Sequence, residues 1–135
     1  MYKDVVLIMG SNITVLFVDD DEMNCKVFKR YFSKISDIEI LTALSAENAI
    51  ELLKQAECTI KIIISDQRMP QTKGHQLLDH CRTFSPEVFR VLTSANQEEV
   101  EALFKNPELT GTIQEYIAKP WDFKQILEVI YSAVR

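Results

Sequence analysis

The chain has 135 residues, of which 47% are hydrophobic and 26% are charged, a balance typical of a folded domain and not of a disordered chain. Its formal net charge is −5 with the Lys and Arg residues scattered, so the composition argues against direct binding of nucleic acid. Three cysteines without a Cys-x-x-Cys pair indicate neither a disulfide framework nor a zinc site, and they favour a reduced, cytoplasmic location.

The first twelve residues form an N-terminal extension ahead of the first predicted strand. Its apolar run, Val5 to Met9, is too short to span a bilayer and lacks the features of a secretory signal, so no membrane association is predicted. The run is compatible with an extra edge strand or with a segment that docks on a neighbouring surface, and the sequence does not choose between them. Residues 13–135 are predicted to form one domain.

Strand-like and helix-like segments then alternate five times along the chain. The predicted strands are Ile13 to Asp19, Ile38 to Thr42, Ile60 to Asp66, Val88 to Thr93 and Ile113 to Ala118. The predicted helices are Glu22 to Lys34, one after the N-cap Ser45, one through Leu77 and Cys81, Gln97 to Phe104, and a last one that opens with Asp122 and Gln125 in capping-box spacing. This order predicts an α/β fold, a doubly wound parallel sheet with helices on both faces.

Three consecutive carboxylates, Asp19, Asp20 and Asp21, follow the first strand. Like charges this close raise one another's pKa unless a cation lies among them. A hard divalent cation with oxygen ligands would satisfy them, and so would a solvated turn in which one Asp caps the next helix. The run alone leaves both readings open.

The other strand ends favour a binding site. In an open parallel sheet, ligands bind beyond the carboxyl ends of the strands. The groups predicted there are Asp19 and Asp20, Asp66, Thr93 with Ser94, and Lys119. Carboxylates suit Mg²⁺, one carboxylate can form an aspartyl-phosphate, and a lysine and a hydroxyl can neutralise and bind phosphoryl oxygens.

Four segments carry a resemblance to a known family. ITVLFVDDDE, IIISDQRMP, VLTSAN and YIAKPWD resemble the receiver domain of bacterial two-component response regulators, in the right order and each at a strand end. The likeness extends from Ile13 to the C-terminus. It implies a flavodoxin-like (βα)5 fold with strand order 2-1-3-4-5.

The resemblance also implies roles for the acidic residues. Asp66 matches the phospho-acceptor of the family. Asp19 and Asp20 match the acidic pair that holds Mg²⁺, with Asp20 the expected direct ligand and Asp19 its support. The backbone carbonyl of Arg68 matches a further metal ligand.

Three other residues match the switch of the family. Thr93 matches the hydroxyl that moves toward the phosphoryl group, and Lys119 matches the lysine that pairs with that group. Tyr116 matches the aromatic residue that turns inward on activation. The Lys119-Pro120 peptide bond is expected to be cis, as is usual in the family.

The resemblance implies a signalling module and not an enzyme. A sensor histidine kinase or phosphotransfer protein would phosphorylate Asp66, and the domain would promote only its own phosphorylation and dephosphorylation. The fourth helix, fifth strand and fifth helix would then form the surface that meets an output domain, a partner or a second copy.

Two other functions fit parts of the sequence. A haloacid-dehalogenase-like phosphatase would use Asp19 as nucleophile, because Asp19-x-Asp21 mimics its first motif, but Met23 stands where that family has Thr or Val. A receiver fold that is never phosphorylated would serve only as a scaffold, against which the complete set of site residues argues.

Two residues beside the predicted site are among the departures of this sequence from the family. Arg68 is a bulky cation two residues after Asp66, and Ala95 is small and lies two residues after Thr93. Both positions flank the expected phosphoryl group, where they would control the access of water. Our hypothesis is that Arg68 pairs with a nearby acid and alters the lifetime of the phosphorylated state.

Overall fold

The computed structural model describes residues 12–56 and 59–135. Five parallel strands form one sheet in the order β2-β1-β3-β4-β5. The strands are β1 (Ile13–Val18), β2 (Ile38–Ala43), β3 (Ile60–Asp66), β4 (Phe89–Ser94) and β5 (Glu115–Ala118). The helices are α1 (Glu22–Phe32), α2 (Ala46–Ala56), α3 (Gly74–Phe84), α4 (Gln97–Lys105) and α5 (Phe123–Ala133), with a short 3-10 helix at Pro107–Leu109. The predicted flavodoxin-like fold is confirmed.

The sheet separates two apolar cores. One core packs α1 and α5 against one face and contains the stacked rings of Phe17 and Phe28, whose centroids are 4.1 Å apart. The other packs α2, α3 and α4 against the opposite face. Because both faces are covered, all six residues of β1 are buried, which explains its nearly continuous apolar sequence.

Several helix starts agree with the sequence. Asp21 belongs to the start of α1, where its side chain accepts a hydrogen bond from the Met23 amide. Ser45 accepts from the amide of Asn48 at the start of α2. Asp122 caps α5 through the amides of Lys124 and Gln125. These side chains satisfy amides that a helix leaves without partners in its first turn.

Some element bounds differ from those predicted. The first helix ends at Phe32 and not Lys34, with Ser33 as its C-cap: the Ser33 amide makes the last helical bond, to the Lys29 carbonyl, and its hydroxyl donates to the Arg30 carbonyl. The fifth strand begins only at Glu115. The fourth strand runs to Ser94, one residue beyond the predicted Thr93. That one residue matters, because successive side chains of a strand point to opposite faces.

A buried arginine organises the end of the sheet away from the predicted site. Arg90, near the start of β4, is 5% exposed. Its guanidinium donates to the carbonyls of Thr112 at 2.9 Å, Gly111 at 3.0 Å, Val88 at 3.0 Å and Pro86 at 3.1 Å. One side chain therefore joins the segment before β4 to the segment before β5.

The N-terminal extension lies almost wholly outside the described residues, which begin at residue 12. An edge strand or docking segment at Val5 to Met9 therefore stays a prediction, as does the boundary at residue 13. Across residues 12–56 and 59–135, no helix combines the length and the apolarity needed to cross a bilayer.

Candidate functional site

The carboxyl ends of β1, β3 and β5 bring two acids and a lysine into direct contact. The ammonium nitrogen of Lys119 lies 2.8 Å from Oδ1 of Asp66 and 3.6 Å from Oδ2 of Asp19. Asp19 and Asp66 are both buried, at 1% and 7% exposure. The peptide bond that follows Lys119 is cis, as expected.

Asp20 completes a cluster of three carboxylates. One oxygen from each of Asp19, Asp20 and Asp66 lies within 4.8 Å of the other two. Asp20 is exposed whereas its two neighbours are buried. Three carboxylates beside one ammonium group leave an excess of negative charge, and hard oxygen ligands in this number suit Mg²⁺. The donor set therefore fits the predicted metal.

The electrostatics of the site follow from this crowding. Burial raises the pKa of the Asp66 carboxyl above its ordinary value, the hydrogen bond from Lys119 offsets part of the rise, and the charge of Asp19 adds to it. For Lys119, burial opposes the charged form, but its contacts with Asp66 and Asp19 prevail and raise the pKa of the ammonium group. A further cation bound among these carboxylates would therefore stabilise their charged forms.

Asp19 is held in one orientation by residues at the start of α1, the helix that follows it. Its Oδ1 accepts from the Asp21 amide at 2.9 Å, and its Oδ2 accepts from the side chain of Asn24 at 3.0 Å. Asn24 was not predicted as a site residue, and only its position one turn into the following helix could have indicated it. The arrangement suits Asp19 for support and leaves the exposed Asp20 free to turn toward a metal.

The loop after β3 is fixed against the start of α3. The side chain of Gln67 accepts from the His75 amide at 2.9 Å and lies 2.8 Å from Nδ1 of the same residue. Gly74 packs so closely that a Cβ there would lie 2.9 Å from Cα of Gln67 and from the carbonyl carbon of Asp66. Real Cβ atoms do not approach backbone so closely, so Gly74 sets the position of the Asp66 backbone. Sequence reasoning missed both supports.

The two hydroxyls at the end of β4, those of Thr93 and Ser94, lie in different surroundings. The Thr93 hydroxyl donates to the Ile117 carbonyl at 2.7 Å and accepts from the Trp121 indole at 2.9 Å, so it serves the packing of β5. Ser94 instead lines the cavity that contains Asp66 and Lys119. Its oxygen accepts from the Asn96 amide at 3.0 Å, and its proton has no acceptor within the described chain. Of the two adjacent hydroxyls, Ser94 lines this cavity and Thr93 does not, so the role predicted for Thr93 stays a prediction.

Tyr116 connects the ends of β4 and β5. Its hydroxyl donates to the carbonyl of Ser94 at 2.9 Å, and its half-buried ring packs on the α2, α3 and α4 side of the sheet. Desolvation raises the pKa of this phenol. A movement of Ser94 would therefore change the contact that holds Tyr116.

The cavity beside Asp66 has a volume of about 710 Å³ and is lined by Arg68, Ser94, Lys119 and the first turn of α4. Nε of Arg68 lies 3.6 Å from Oε1 of Glu99, so Arg68 does pair with a nearby acid. A more apolar groove of about 490 Å³, lined by α1, the segment just after it and Phe123, contains none of the three acids.

A model of the family described as "Response regulator receiver domain" matches residues 15–131 of the chain. The chain belongs to the response regulator receiver family. The match covers the last four residues of β1, all of β2 to β5 and the site residues, and it confirms the family that the four sequence segments predicted.

Named relatives agree with this assignment. The hydrogenase transcriptional regulatory protein HoxA of Bradyrhizobium diazoefficiens is 30% identical over 90% of this chain, which spans 24% of that protein. The transcriptional regulatory protein MalR of Bacillus subtilis is 32% identical over 84% of this chain and 46% of its own. The chain thus spans about a quarter to a half of these relatives, so the activities of the whole relatives do not transfer to it directly.

Solved receiver structures share the fold. A receiver domain from Clostridium thermocellum superposes with a TM-score of 0.79 at 20% identity, over 90% of this chain and 94% of that one. The response regulator TrrA of Thermotoga maritima, solved in complex with Mg²⁺ and BeF, gives a TM-score of 0.76 at 20% identity, over 90% of this chain and 98% of that one. At these identities the likeness concerns the fold.

Proposed function

We propose that this receiver domain accepts a phosphoryl group on Asp66 from a sensor histidine kinase or phosphotransfer protein and relays a signal. The observation that carries the proposal is the 2.8 Å contact between Lys119 and Asp66 beside the three clustered carboxylates. A buried acid held between a lysine and further acids suits phosphoryl transfer, which depends on positioning and on neutralised charge.

The residues divide the chemistry among them. An oxygen of Asp66 attacks phosphorus, the bond from phosphorus to the donor group breaks, and the donor leaves with that electron pair. Lys119 neutralises charge on the transferred oxygens. Asp19, Asp20, Asp66 and the backbone carbonyl of Arg68 would hold Mg²⁺, which, when bound, supplies further neutralisation.

The response would begin at Ser94 and continue through Tyr116. Ser94 offers its hydroxyl to the phosphoryl group from within the cavity, in the role first predicted for Thr93. Its carbonyl already holds the Tyr116 hydroxyl, so a shift of Ser94 changes the position of that ring. Phosphorylation would bias this arrangement by adding charge at one point of a two-state element.

The signal would be read at the surface of α4, β5 and α5, by an output domain, another partner or a second copy. Phe104 of α4 is 52% exposed and would offer such a partner an apolar contact. Relatives named as transcriptional regulators extend well beyond this domain, which supports an output module elsewhere in the signalling protein. We place this function in the cytoplasm, with no direct binding of nucleic acid by the domain itself.

Labelling with acetyl phosphate tests the proposed function. The protein is incubated with acetyl phosphate, with and without Mg²⁺, and the modified peptide is mapped by mass spectrometry. We expect one phosphoryl group on Asp66 that depends on Mg²⁺. A label on Asp19 would instead indicate the phosphatase-like nucleophile, and no label from acetyl phosphate or from any kinase would indicate a scaffold.

A pair of hydroxyl substitutions separates Ser94 from Thr93. Ser94→Ala is expected to slow labelling about tenfold, because it removes a donor to the phosphoryl oxygens. Thr93→Val is expected to change the rate less than about twofold but to lower stability, since Trp121 and Ile117 lose a buried partner. Rates come from mass spectrometry and stabilities from urea unfolding. Equal slowing by both variants, or slowing by Thr93→Val alone, would contradict the proposal that Ser94 has this role.

Arg68 is expected to control how long the phosphoryl group survives. Arg68→Ala opens the mouth of the cavity to water, and we expect hydrolysis of the phosphorylated state to become at least about threefold faster. The measurement is loss of label after removal of acetyl phosphate. An unchanged rate of hydrolysis would reject this role. Lys26→Ala removes an exposed cation of α1 and serves as the control, in which the rate should stay as in the wild type.

A further inference from the structure

The ion pair between Arg68 and Glu99 has an asymmetry that a simple surface pair lacks. The Arg68 side chain is 68% exposed whereas that of Glu99 is 29% exposed. Among the described residues, Oε1 of Glu99 is buried without a hydrogen-bond partner, and the ion pair that they give it is the 3.6 Å contact with Arg68. A buried carboxylate oxygen without a hydrogen-bond donor is unfavourable. Glu99 is therefore stabilised more by the ion pair than the exposed Arg68 is.

The two partners belong to two functional elements. Arg68 follows Asp66 by two residues and lines the same cavity. Glu99 lies in the first turn of α4, where its amide bonds to the Asn96 side chain at 3.0 Å and the next amide, of Val100, bonds to the Asn96 carbonyl at 3.2 Å. The pair therefore ties the first turn of α4 to the loop that carries the phospho-acceptor.

A phosphoryl group on Asp66 would compete for the same guanidinium. It brings between one and two negative charges and three strong acceptor oxygens into the cavity that Arg68 lines. A guanidinium matches phosphate oxygens with two parallel donors, and at 68% exposure it is free to swing. A contact of 3.6 Å with Glu99 is a weaker alternative.

We propose that Arg68 and Glu99 are positioning residues that couple phosphorylation to α4. In the unphosphorylated state Arg68 forms an ion pair with Glu99; when Asp66 is phosphorylated, Arg68 moves to the phosphoryl oxygens and Glu99 loses that ion pair. The first turn of α4, from Asn96 to Val100, then loosens so that Glu99 reaches water. This route is separate from the one through Ser94 and Tyr116, and it rests on the proposed function.

Amide hydrogen exchange at Val100 and along α4 tests the coupling. The full chain is measured by NMR with Mg²⁺ alone and with Mg²⁺ and beryllium fluoride, the pairing present in the TrrA structure. We expect loading to speed exchange at Val100 about fivefold, the equivalent of losing one partly exposed ion pair. Fluorine NMR detects the bound analogue. Its signal should be absent in Asp66→Asn, which verifies that the analogue binds at Asp66.

Three variants separate the coupling from general loosening. Glu99→Gln removes the charge that needs compensation, so loading should no longer speed exchange. Arg68→Ala should give fast exchange before loading and no further increase. Lys26→Ala is the matched control, because it breaks an ion pair of the same 3.6 Å length with Glu22 on α1, and it should keep the fivefold response.

The outcomes distinguish this inference from the proposed function. A wild-type chain that binds the analogue without faster exchange, or a Glu99→Gln variant that keeps the wild-type response, overturns the coupling alone. A wild-type chain that neither binds the analogue nor takes a label from acetyl phosphate overturns both. If the wild type and all variants bind the analogue and show the expected exchange rates at Val100, the result supports the movement of Arg68 from Glu99 to the phosphoryl oxygens.

Discussion

Asp66→Asn is expected to abolish acyl-phosphate labelling while making the metal-free fold more stable. Asn occupies nearly the same volume but cannot form the acyl phosphate, so labelling should fall below detection. The same change removes one of three crowded carboxylates. We expect the free energy of unfolding in EDTA to rise by about 1 kcal/mol, because the repulsion and desolvation removed exceed the lost contact with Lys119. Mass spectrometry and urea unfolding measure the two effects.

The gain in stability should depend on pH with a definite sign. The pKa of Asp66 is raised in the folded state above the ordinary value of 3.8. The folded wild type therefore binds more protons than the unfolded chain between these two values, and its stability falls as pH rises through that window. The advantage of Asp66→Asn should be complete above the folded pKa and should shrink as pH falls toward 3.8.

Asp19→Asn is the matched control, since it removes a neighbouring carboxylate but keeps the acceptor. We expect it to retain labelling on Asp66 at a reduced rate and to weaken the dependence on Mg²⁺, because a supporting ligand is lost. Labelling that persists in Asp66→Asn and disappears in Asp19→Asn would show that Asp19 is the nucleophile and would reject the proposed function.

The sequence predicted the parts of the site that depend on strand ends alone. Asp66 directly ends an apolar β-branched run, Asp19 and Asp20 directly follow another, and Lys119 directly follows the fifth strand. A parallel sheet aligns such ends at one edge whatever the details of packing. The convergence of the acids and the lysine could therefore be predicted without coordinates.

The parts that depend on one residue of register could not be predicted in the same way. Thr93 and Ser94 are adjacent hydroxyls, and which of them faces the cavity depends on where β4 ends. The supporting bonds of Asn24 and Gln67 arise from side chains that many loops contain without effect. Their partners are fixed by three-dimensional packing, which leaves no periodic pattern in the sequence.

Arg90 illustrates the same limit and gives the largest expected effect on stability. In the sequence it is one polar residue in a buried strand, where a charged residue is unfavourable. In the structure its guanidinium satisfies four backbone carbonyls. Burial lowers the pKa of Arg90, with the attraction of Asp79 among the opposing effects, but an arginine remains charged in proteins. The charge is retained because its donors are matched with acceptors.

Arg90→Met is expected to lower the free energy of unfolding by about 3 to 5 kcal/mol. Met has a similar reach but no donors, so four carbonyls at the starts of β4 and β5 lose their partner in a place that water reaches poorly. Arg90→Lys should cost less, because an ammonium group has three donors but lacks the planar fork. Urea unfolding in EDTA measures both variants, and the lysine variant keeps the test open if the methionine variant does not fold.

The control for Arg90 is a second arginine that contacts the same segment from outside. Arg82 donates to the Thr110 carbonyl and to Asp79, both at 2.8 Å, but its side chain is 36% exposed. Arg82→Met should therefore cost only about 0.5 to 1 kcal/mol. Because both arginines act at the end of the sheet opposite Asp66, the rate of labelling per folded molecule should stay within about twofold of wild type in either variant. Equal losses of stability in the two methionine variants would show that burial of the guanidinium is not what makes Arg90 important.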